Sequence, residues 1–163
     1  MKKNKPIILI DPYPRTMDLL FSKTNLKYLK KNFKLITAPN KNKNNFYKKN
    51  LPNADYIFGQ PNLPSSIISR SKKLKAIFNV ESNFMDNMDY DYCFKKGIHV
   101  LATSPVFAQP VAEMAVGLTL SIARSIHIAH SDFILKKEKY GGAISQNNFL
   151  LKNKKFGLIG FGD

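Results

Sequence analysis

An α/β fold built on a parallel sheet is predicted by three features of the 163-residue chain. Short apolar runs rich in β-branched and aromatic residues recur along its first part, as β-strands do. Helical patterns separate these runs, and such alternation is typical of parallel strands joined by crossover helices. A hydrophobic content of 44% is typical of a globular protein with a buried core.

Five strands and the helices between them can be placed in order. The predicted strands are residues 6–10, 33–37, 55–58, 74–80 and 98–101. The predicted helices are residues 16–20, 25–31, 65–69 and 88–95, the last with Gly97 as its C-cap. Five strands with helices between them predict a flavodoxin-like sheet over residues 1–104.

A single long helix is predicted over residues 109–130. Pro110 suits its first turn, and Glu113 complements its positive N-terminal end. Apolar residues cover most of its circumference, and such a helix has to be buried on all sides. Residues 105–130 are therefore predicted to lie between two domains or two subunits, where Gly117 permits close approach. A central core helix of one domain is the alternative.

The last seven residues, Gly157 to Asp163, form an apolar run that leads into the turn Gly160-Phe161-Gly162. After a strand, Gly-x-Gly opens the dinucleotide-binding fingerprint, in which the glycines let the backbone approach a pyrophosphate. An ordinary tight turn between a strand and a loop is the alternative. Residues 131–163 are predicted to be a linker followed by the first strand of a Rossmann domain.

The net charge of +15 does not by itself indicate a nucleic-acid partner. The lysines are spread through every segment, often beside asparagine, as in residues 40–45 and 152–155, which predicts a solvated surface. Arginine, the residue that reads base edges, occurs only at Arg15, Arg70 and Arg124. We therefore expect no specific nucleic-acid binding.

A cytoplasmic location without a membrane anchor is expected. The apolar stretch 7–10 is too short for the core of a signal peptide. The best membrane candidate, 114–123, is shorter than the roughly 20 apolar residues that span a bilayer. Cys93 is the only cysteine, which excludes an internal disulfide and indicates a reducing compartment. We expect Cys93 to be a buried small hydrophobe.

Four segments in the second half of the chain carry a family resemblance. They are Gly97 to Val100, Ser104 to Glu113, the alanine- and leucine-rich stretch that reaches Arg124, and Phe156 to Gly162. Their order and spacing resemble the D-isomer-specific 2-hydroxyacid dehydrogenase family, over roughly residues 74–163. The first seventy residues match the family only in the spacing of their predicted strands.

The resemblance implies a flavodoxin-like substrate domain, a Rossmann domain and a homodimer built around the 109–130 helix. It also implies hydride transfer between a nicotinamide cofactor, NAD or NADP, and a small 2-hydroxy or 2-oxo acid. The family's catalytic arginine, carboxylate and histidine follow the Gly-x-Gly turn, so no catalytic residue is assigned here. The chain is expected to be the N-terminal portion of such an enzyme and inactive alone. A self-standing module that binds a small ligand or a protein partner is the alternative.

The loop after the fourth strand is where the resemblance places the substrate carboxylate, on backbone N–H groups. The corresponding residues are Glu81, Ser82 and Asn83, and the glycines usual in the family are replaced. A buried Glu81 facing an anionic substrate would be repulsive. A polar turn with Asn83 in a left-handed conformation is the alternative interpretation of this loop.

For the cofactor, the resemblance implies contacts from Ala108, Gly160, Phe161, Gly162 and Asp163. Many family members carry Asn-Thr where this chain has Phe107 and Ala108, so a nicotinamide contact there has to use backbone or apolar packing. No metal site is expected: His127 and His130 have a ligand-like spacing, but two helical histidines without a third partner are more often surface or capping groups.

Overall fold

The computed structural model describes residues 4–143 and 147–162, and the chain divides after Ser104 into two compact units. The strands are β1 (Ile7–Asp11), β2 (Lys34–Thr37), β3 (Tyr56–Gly59), β4 (Ala76–Phe78) and β5 (His99–Leu101). The helices are α1 (Met17–Leu20), α2 (Lys23–Asn32), α3 (Lys43–Asn50), α4 (Ser65–Ile68), α5 (Tyr90–Lys95), α6 (Ser104–Ala123) and α7 (Ile126–Ile134). Short 3₁₀ turns occupy Leu51–Asn53 and Gly141–Ala143.

The five strands form one parallel sheet in the order β2-β1-β3-β4-β5. This is the flavodoxin-like order, so the predicted fold class is confirmed. The strands are short and mostly apolar, and β4 is apolar at every position, as expected where helices cover a parallel sheet.

The main core lies on one face of this sheet. Leu9, Ile57 and Ile77 lie side by side in the strand register and are fully buried. Side chains from α3, α4 and α5 close the core over them, among them Tyr47, Ile68 and Cys93. Alternate residues of each strand point to this face, which is why the pattern repeats at every second position.

Aromatic side chains dominate the opposite face. Phe58 lies 4.8 Å from Phe21 and 6.5 Å from Phe78, measured between ring centroids. These rings line an open groove of about 370 Å³ beneath α2. Phe78 and Leu101, toward the β5 edge, remain exposed.

Two further elements of this unit test the sequence argument. Gly97 follows α5 with φ +69°, and the N–H groups of Gly97 and Ile98 bond to the carbonyls of Phe94 and Cys93, a Schellman motif. The C-cap prediction is therefore confirmed. Helix α3, however, was not predicted: its residues are almost all Lys and Asn, and only Tyr47 of its length is buried.

The long helix differs from its prediction at both ends. It begins at Ser104, five residues early, which puts Pro110 in its interior. It ends at Ala123, because Ser125 adopts a left-handed φ of +51° and α7 starts afresh at Ile126. Pro110 has no N–H, so one hydrogen bond of the α6 ladder is missing.

The apolar surface of α6 is not covered within the second unit. Only Ala123 of this helix is buried, whereas Val111, Met114, Leu118 and Ile122 are more than half exposed. This chain alone does not bury the helix, and its position between two domains or two subunits stays a prediction. The alternative of a core helix is wrong, because the helix is largely exposed.

Residues 157–162 form no strand, although one was predicted there. A strand needs neighbouring backbone to bond its N–H and C=O groups. No strand pairs with this segment in residues 4–143 or 147–162, and Ile159 and Phe161 are exposed.

Helix α6, with 20 residues, also has the length and apolar composition of a membrane-spanning helix, which the shorter apolar run 114–123 does not indicate. One such helix is weak evidence for a membrane, and Glu113 lies at its middle, where a bilayer would strongly disfavour a carboxylate.

Candidate functional site

The candidate site lies at the carboxyl ends of β1, β3 and β4. In an open parallel sheet, ligands bind beyond the carboxyl ends where the strand order reverses, which here is between β1 and β3. Three loops meet there: 12–16 after β1, 60–64 after β3 and 79–89 after β4.

The ends of β1 and β3 approach each other closely. Asp11 and Gly59 are register partners, and a Cβ built on Gly59 would lie 2.1 Å from the Asp11 carbonyl oxygen. Gly59 also has φ +144°, which L side chains rarely adopt. Glycine is therefore required where the chain turns from β3 into the loop that carries Gln60.

A buried polar cluster supports the loop after β1. The Asp11 carboxylate is almost fully buried and receives the Lys43 ammonium at 2.7 Å and the Tyr47 hydroxyl at 3.3 Å. Burial, with the Asp11 charge beside it, raises the pKa of Tyr47 above its ordinary value, so the hydroxyl stays protonated and donates. The Lys43 ammonium also lies 5.2 Å from the centre of the Tyr13 ring, an aromatic contact that holds this loop.

Arg15, in the same loop, is paired with Glu81. Its Nε and Nη2 donate to the two carboxylate oxygens at 3.1 and 3.3 Å. This two-point geometry fixes both side chains and neutralises the carboxylate. Glu81 is thus partly exposed and paired, so the repulsion expected from a buried, unpaired Glu81 does not arise.

Gln60 joins the loops after β3 and β4. Its side-chain oxygen accepts from the Glu81 N–H at 3.1 Å, and its side-chain nitrogen donates to the Asn83 carbonyl at 3.1 Å. The Glu81 carbonyl in turn accepts from the Thr103 N–H at 3.4 Å. The backbone of residues 81–83 is therefore held from two sides.

Three consecutive backbone donors of this loop are unused. No acceptor in residues 4–143 or 147–162 takes a hydrogen bond from the N–H of Ser82, Asn83 or Phe84. Successive free N–H groups in a turn make an anion-binding concavity. Asn83 keeps a negative φ, so the interpretation of a turn with a left-handed Asn83 is wrong.

The remainder of the loop is structural. Asn87 donates through its side chain to the Pro61 carbonyl at 2.8 Å and accepts from the Tyr90 hydroxyl at 2.9 Å. Asp89 caps α5 by accepting from the Tyr92 N–H, and it also accepts from the Ser65 hydroxyl. These bonds anchor the end of the loop and leave residues 82–84 as its free part.

Buried Asn79 and half-buried Thr103, at the same edge, have buried polar atoms with unused hydrogen-bonding capacity. Among the described residues, no group makes a hydrogen bond of good geometry to the side-chain amide of Asn79, which interacts weakly with the Tyr90 hydroxyl, and the Thr103 hydroxyl has no partner. Buried polar groups of this kind are normally satisfied by a bound water or ligand. Polar atoms with unused hydrogen-bonding capacity are thus present both in the loop and at the carboxyl end of the sheet.

The predicted cofactor residues belong to the second unit. Ala108 lies within α6 and not in a loop before it. Gly160 has φ +84°, the backbone of a tight turn, and no atom lies within 4 Å of a Cβ built on Gly160 or Gly162. Phe161 is exposed, and Asp163 lies outside the described residues. No helix follows the turn up to residue 162, so these residues alone do not form a pyrophosphate cradle.

Cys93 and His99, in the first unit, lie outside the three loops of the candidate site. Cys93 is fully buried in the core, as predicted, and burial raises the pKa of its thiol. His99 begins β5, at the amino end of the sheet, and His127 and His130 lie on α7. Within the described residues no three potential metal ligands cluster.

Arg15 and Gln60 were missed by the sequence argument. Their roles depend on contacts across 66 and 23 positions of sequence, with Glu81 and Asn83 respectively. The one local signal was the scarcity of arginine, which makes Arg15, in a loop at a strand's carboxyl end, unusual in this lysine-rich chain.

Comparisons with known proteins identify relatives of this chain and of its fold. A hydroxypyruvate reductase of Thermotoga maritima is 40% identical over 99 residues, which cover 61% of this chain and 31% of that protein. A phosphoglycerate oxidoreductase from Rhizobium etli superposes with a TM-score of 0.75 and 37% identity, covering 97% of this chain and 49% of that one. A D-lactate dehydrogenase from Aquifex aeolicus, solved with NAD and lactic acid, shares the fold at 20% identity with a TM-score of 0.56.

The chain spans about a third of the length of the curated relatives and about half of the solved chains that it matches. The family model for the catalytic domain of D-isomer specific 2-hydroxyacid dehydrogenases matches residues 16–151, most of the chain. The protein therefore belongs to the D-isomer specific 2-hydroxyacid dehydrogenase family.

Proposed function

We propose that this chain forms the substrate-binding part of an NAD- or NADP-dependent oxidoreductase that interconverts small 2-hydroxy and 2-oxo acids by hydride transfer. The observation that carries the proposal is the row of three free N–H groups at Ser82, Asn83 and Phe84, at the carboxyl edge of the sheet. These donors suit the carboxylate that every 2-hydroxy acid carries.

The charge around the loop supports an anionic ligand. Glu81 alone would oppose a carboxylate, but its charge is balanced by Arg15 through two hydrogen bonds. Gln60 holds the loop backbone, so the donors are fixed before the ligand arrives. Fixed donors lose less entropy on binding than mobile ones. Ser82 and Asn83 are assigned to the substrate through their N–H groups, and Glu81 through its place in the loop.

The cofactor assignment rests on the family and on the backbone of the last segment. Gly160, Phe161, Gly162 and Asp163 are proposed to meet the pyrophosphate of NAD or NADP, which when bound supplies or accepts the hydride. Ala108 is proposed to pack beside the nicotinamide. The described residues do not complete this site, so no step of a reaction is derived from it.

We expect no turnover by these 163 residues alone. Within the first unit, His99 begins β5 at the amino end of the sheet and Arg15 is occupied by Glu81, so this unit places no acid-base pair at the carboxyl edge.

A homodimer through residues 109–130 accompanies the proposal. The apolar side chains of α6 are exposed around its circumference, and a large exposed apolar surface marks a protein interface. Glu113 in this helix favours a protein surface over lipid.

A cytoplasmic location is also proposed, because the one cysteine of the chain is buried and free.

Two measurements test the proposal. First, D-lactate titrated into the ¹⁵N-labelled chain is expected to shift the amide resonances of Ser82, Asn83 and Phe84, with sodium chloride at equal ionic strength as the control. Resonances near Asp55, at the amino edge of the sheet, should not move. If residues 82–84 do not respond at any lactate concentration, the loop is not a carboxylate site.

The second measurement is the oxidation of NADH by the chain in the presence of pyruvate, glyoxylate or hydroxypyruvate. No oxidation above the rate without protein is expected. A measurable, protein-dependent rate would contradict the assignment of this chain as a substrate-binding part without its own acid-base groups.

A further inference from the structure

The Arg15–Glu81 pair lies beside the proposed carboxylate site and has hydrogen-bonding capacity to spare. Arg15 uses two of its five N–H donors on Glu81, and a carboxylate offers about four acceptor positions. The side chains are 43% and 27% exposed, so this unused capacity is accessible. Glu81 is adjacent to Ser82, whose N–H is the first of the free donors.

The pair presents a neutral surface with a donor and an acceptor side by side. A hydroxyl group matches it, because a hydroxyl can donate to Glu81 and accept from Arg15 at once. A methyl group matches it poorly, since it strips water from both charged groups and offers no hydrogen bond in return. A second carboxylate also matches poorly, because it has to compete with Glu81 for the one arginine.

Neighbouring residues hold the two loops that carry this pair. Asp11 fixes Lys43, and Lys43 contacts the ring of Tyr13, two residues before Arg15. Gln60 fixes the backbone of Glu81. The backbone of Glu81 and the loop that carries Arg15 are therefore held by neighbouring residues, while the two side chains hold each other, and such support favours a site that discriminates between ligands.

We infer that Arg15 and Glu81 determine specificity by selecting 2-hydroxy and 2-oxo acids that carry a hydroxyl group on the carbon next to the reacting one. This inference rests on the proposed function, because it takes the ligand carboxylate to be bound by residues 82–84.

The test compares D-glycerate with D-lactate, which differ only by that hydroxyl, in titrations of the ¹⁵N-labelled chain followed at residues 82–84. D-Glycerate is expected to bind about tenfold more tightly, less than the discrimination of a fully buried hydroxyl site because the pair is partly exposed. Equal affinities would overturn the inference and leave the carboxylate site intact. If neither acid shifts these resonances, the proposed function itself fails.

Variants separate the pair's role from that of the loop. In the double variant Arg15→Met/Glu81→Met, which removes donor and acceptor together, the preference for D-glycerate should disappear while D-lactate binding persists. In Arg15→Gln alone, both acids should bind more weakly, because the charge of Glu81 is no longer balanced. The matched control is Lys73→Gln, which removes the ion pair of half-exposed Lys73 with Asp55 at the opposite end of the sheet and should leave both affinities unchanged.

Two results would contradict the inference directly. One is a preference for D-glycerate that survives in the double variant while the fold, checked by its ¹⁵N spectrum, is intact. The other is tighter binding of D-malate than of D-glycerate, which would mean that Arg15 leaves Glu81 to bind a second carboxylate.

Discussion

The two units of this chain use similar apolar side chains in opposite ways. Up to Ser104, the isoleucines and leucines of the strands are buried between the sheet and α3, α4 and α5. After Ser104, valines, leucines and isoleucines of α6 and α7 are largely exposed. Burial is thus decided by which surfaces are available to a segment, and not by its composition.

The difference also teaches where stability comes from. Full burial of a large apolar side chain stabilises a folded protein by about 1.5–3 kcal/mol. In the first unit, side chains of the same unit provide this burial. In the second unit, the apolar side chains of α6 stay exposed and do not contribute this stabilisation. A surface of this kind is what a protein partner can cover.

The largest expected effect is a core truncation in the first unit. Ile77→Ala should lower the free energy of unfolding by about 2–5 kcal/mol, because Ile77 is fully buried and its removal leaves a cavity. Ile159→Ala, in a fully exposed isoleucine of the second unit, should change it by less than about 0.5 kcal/mol. Urea unfolding followed by circular dichroism measures both, and equal losses would remove the contrast between the units.

Two glycines should respond with opposite signs. Gly59→Ala should destabilise the first unit by about 2 kcal/mol or more, because its Cβ would collide with the Asp11 carbonyl and its φ is positive. Gly117→Ala, in the interior of α6 with nothing near its Cβ, should stabilise the helix by roughly 0.5–1 kcal/mol. Thermal unfolding of the two variants reports both signs. Destabilisation by Gly117→Ala would indicate that another surface packs closely at that position.

The helix starts provide a smaller contrast. Asp89 accepts a hydrogen bond from the Tyr92 N–H at the start of α5, whereas Ser125 precedes α7 without a side-chain cap. Asp89→Ala should therefore lower the urea midpoint, Asp89→Asn should largely preserve it, and Ser125→Ala should cause no loss of capping. An unchanged midpoint in Asp89→Ala would show that the cap is dispensable.

The same residue gives a pH dependence with a defined sign. The hydrogen bond from the Ser65 hydroxyl, and then that from the Tyr92 N–H, lower the pKa of Asp89 below its ordinary 3.8. The stability contributed by the ionised carboxylate is present above pH 3.8 and is lost as the pH falls through the lowered pKa. Between pH 5 and pH 2 the wild-type midpoint should fall more than that of Asp89→Asn, and parallel falls would contradict this assignment.

Local patterns sufficed for most of the first unit. All five strands and the Gly97 cap could be predicted because alternation and cap chemistry are local signals. Helix α3 could not, since Tyr47 alone supplies its buried contact and its other residues are those of a loop. The end of α6 depended on the backbone of Ser125, and serine carries no strong signal for a left-handed φ.

The candidate site likewise has some features that the local sequence predicts and others that depend on distant residues. The loop of Glu81, Ser82 and Asn83 could be predicted because it follows a strand and resembles the family at that position. Its chemistry could not, because the charge of Glu81 is balanced by Arg15, 66 positions earlier, and the loop is held by Gln60. Long-range pairings of this kind leave no periodic trace in a single sequence.

The contrast between the units is tested most directly by sedimentation equilibrium of the chain over a wide range of concentration. If the apolar surface of α6 is covered by a second copy, the wild-type chain should dimerise and Leu118→Lys should shift it to monomer. Leu19→Lys, which places the same charge on an exposed leucine of α1, should leave the dimer intact. A wild-type chain that stays monomeric at every concentration, with α6 helical and exposed, would contradict the account.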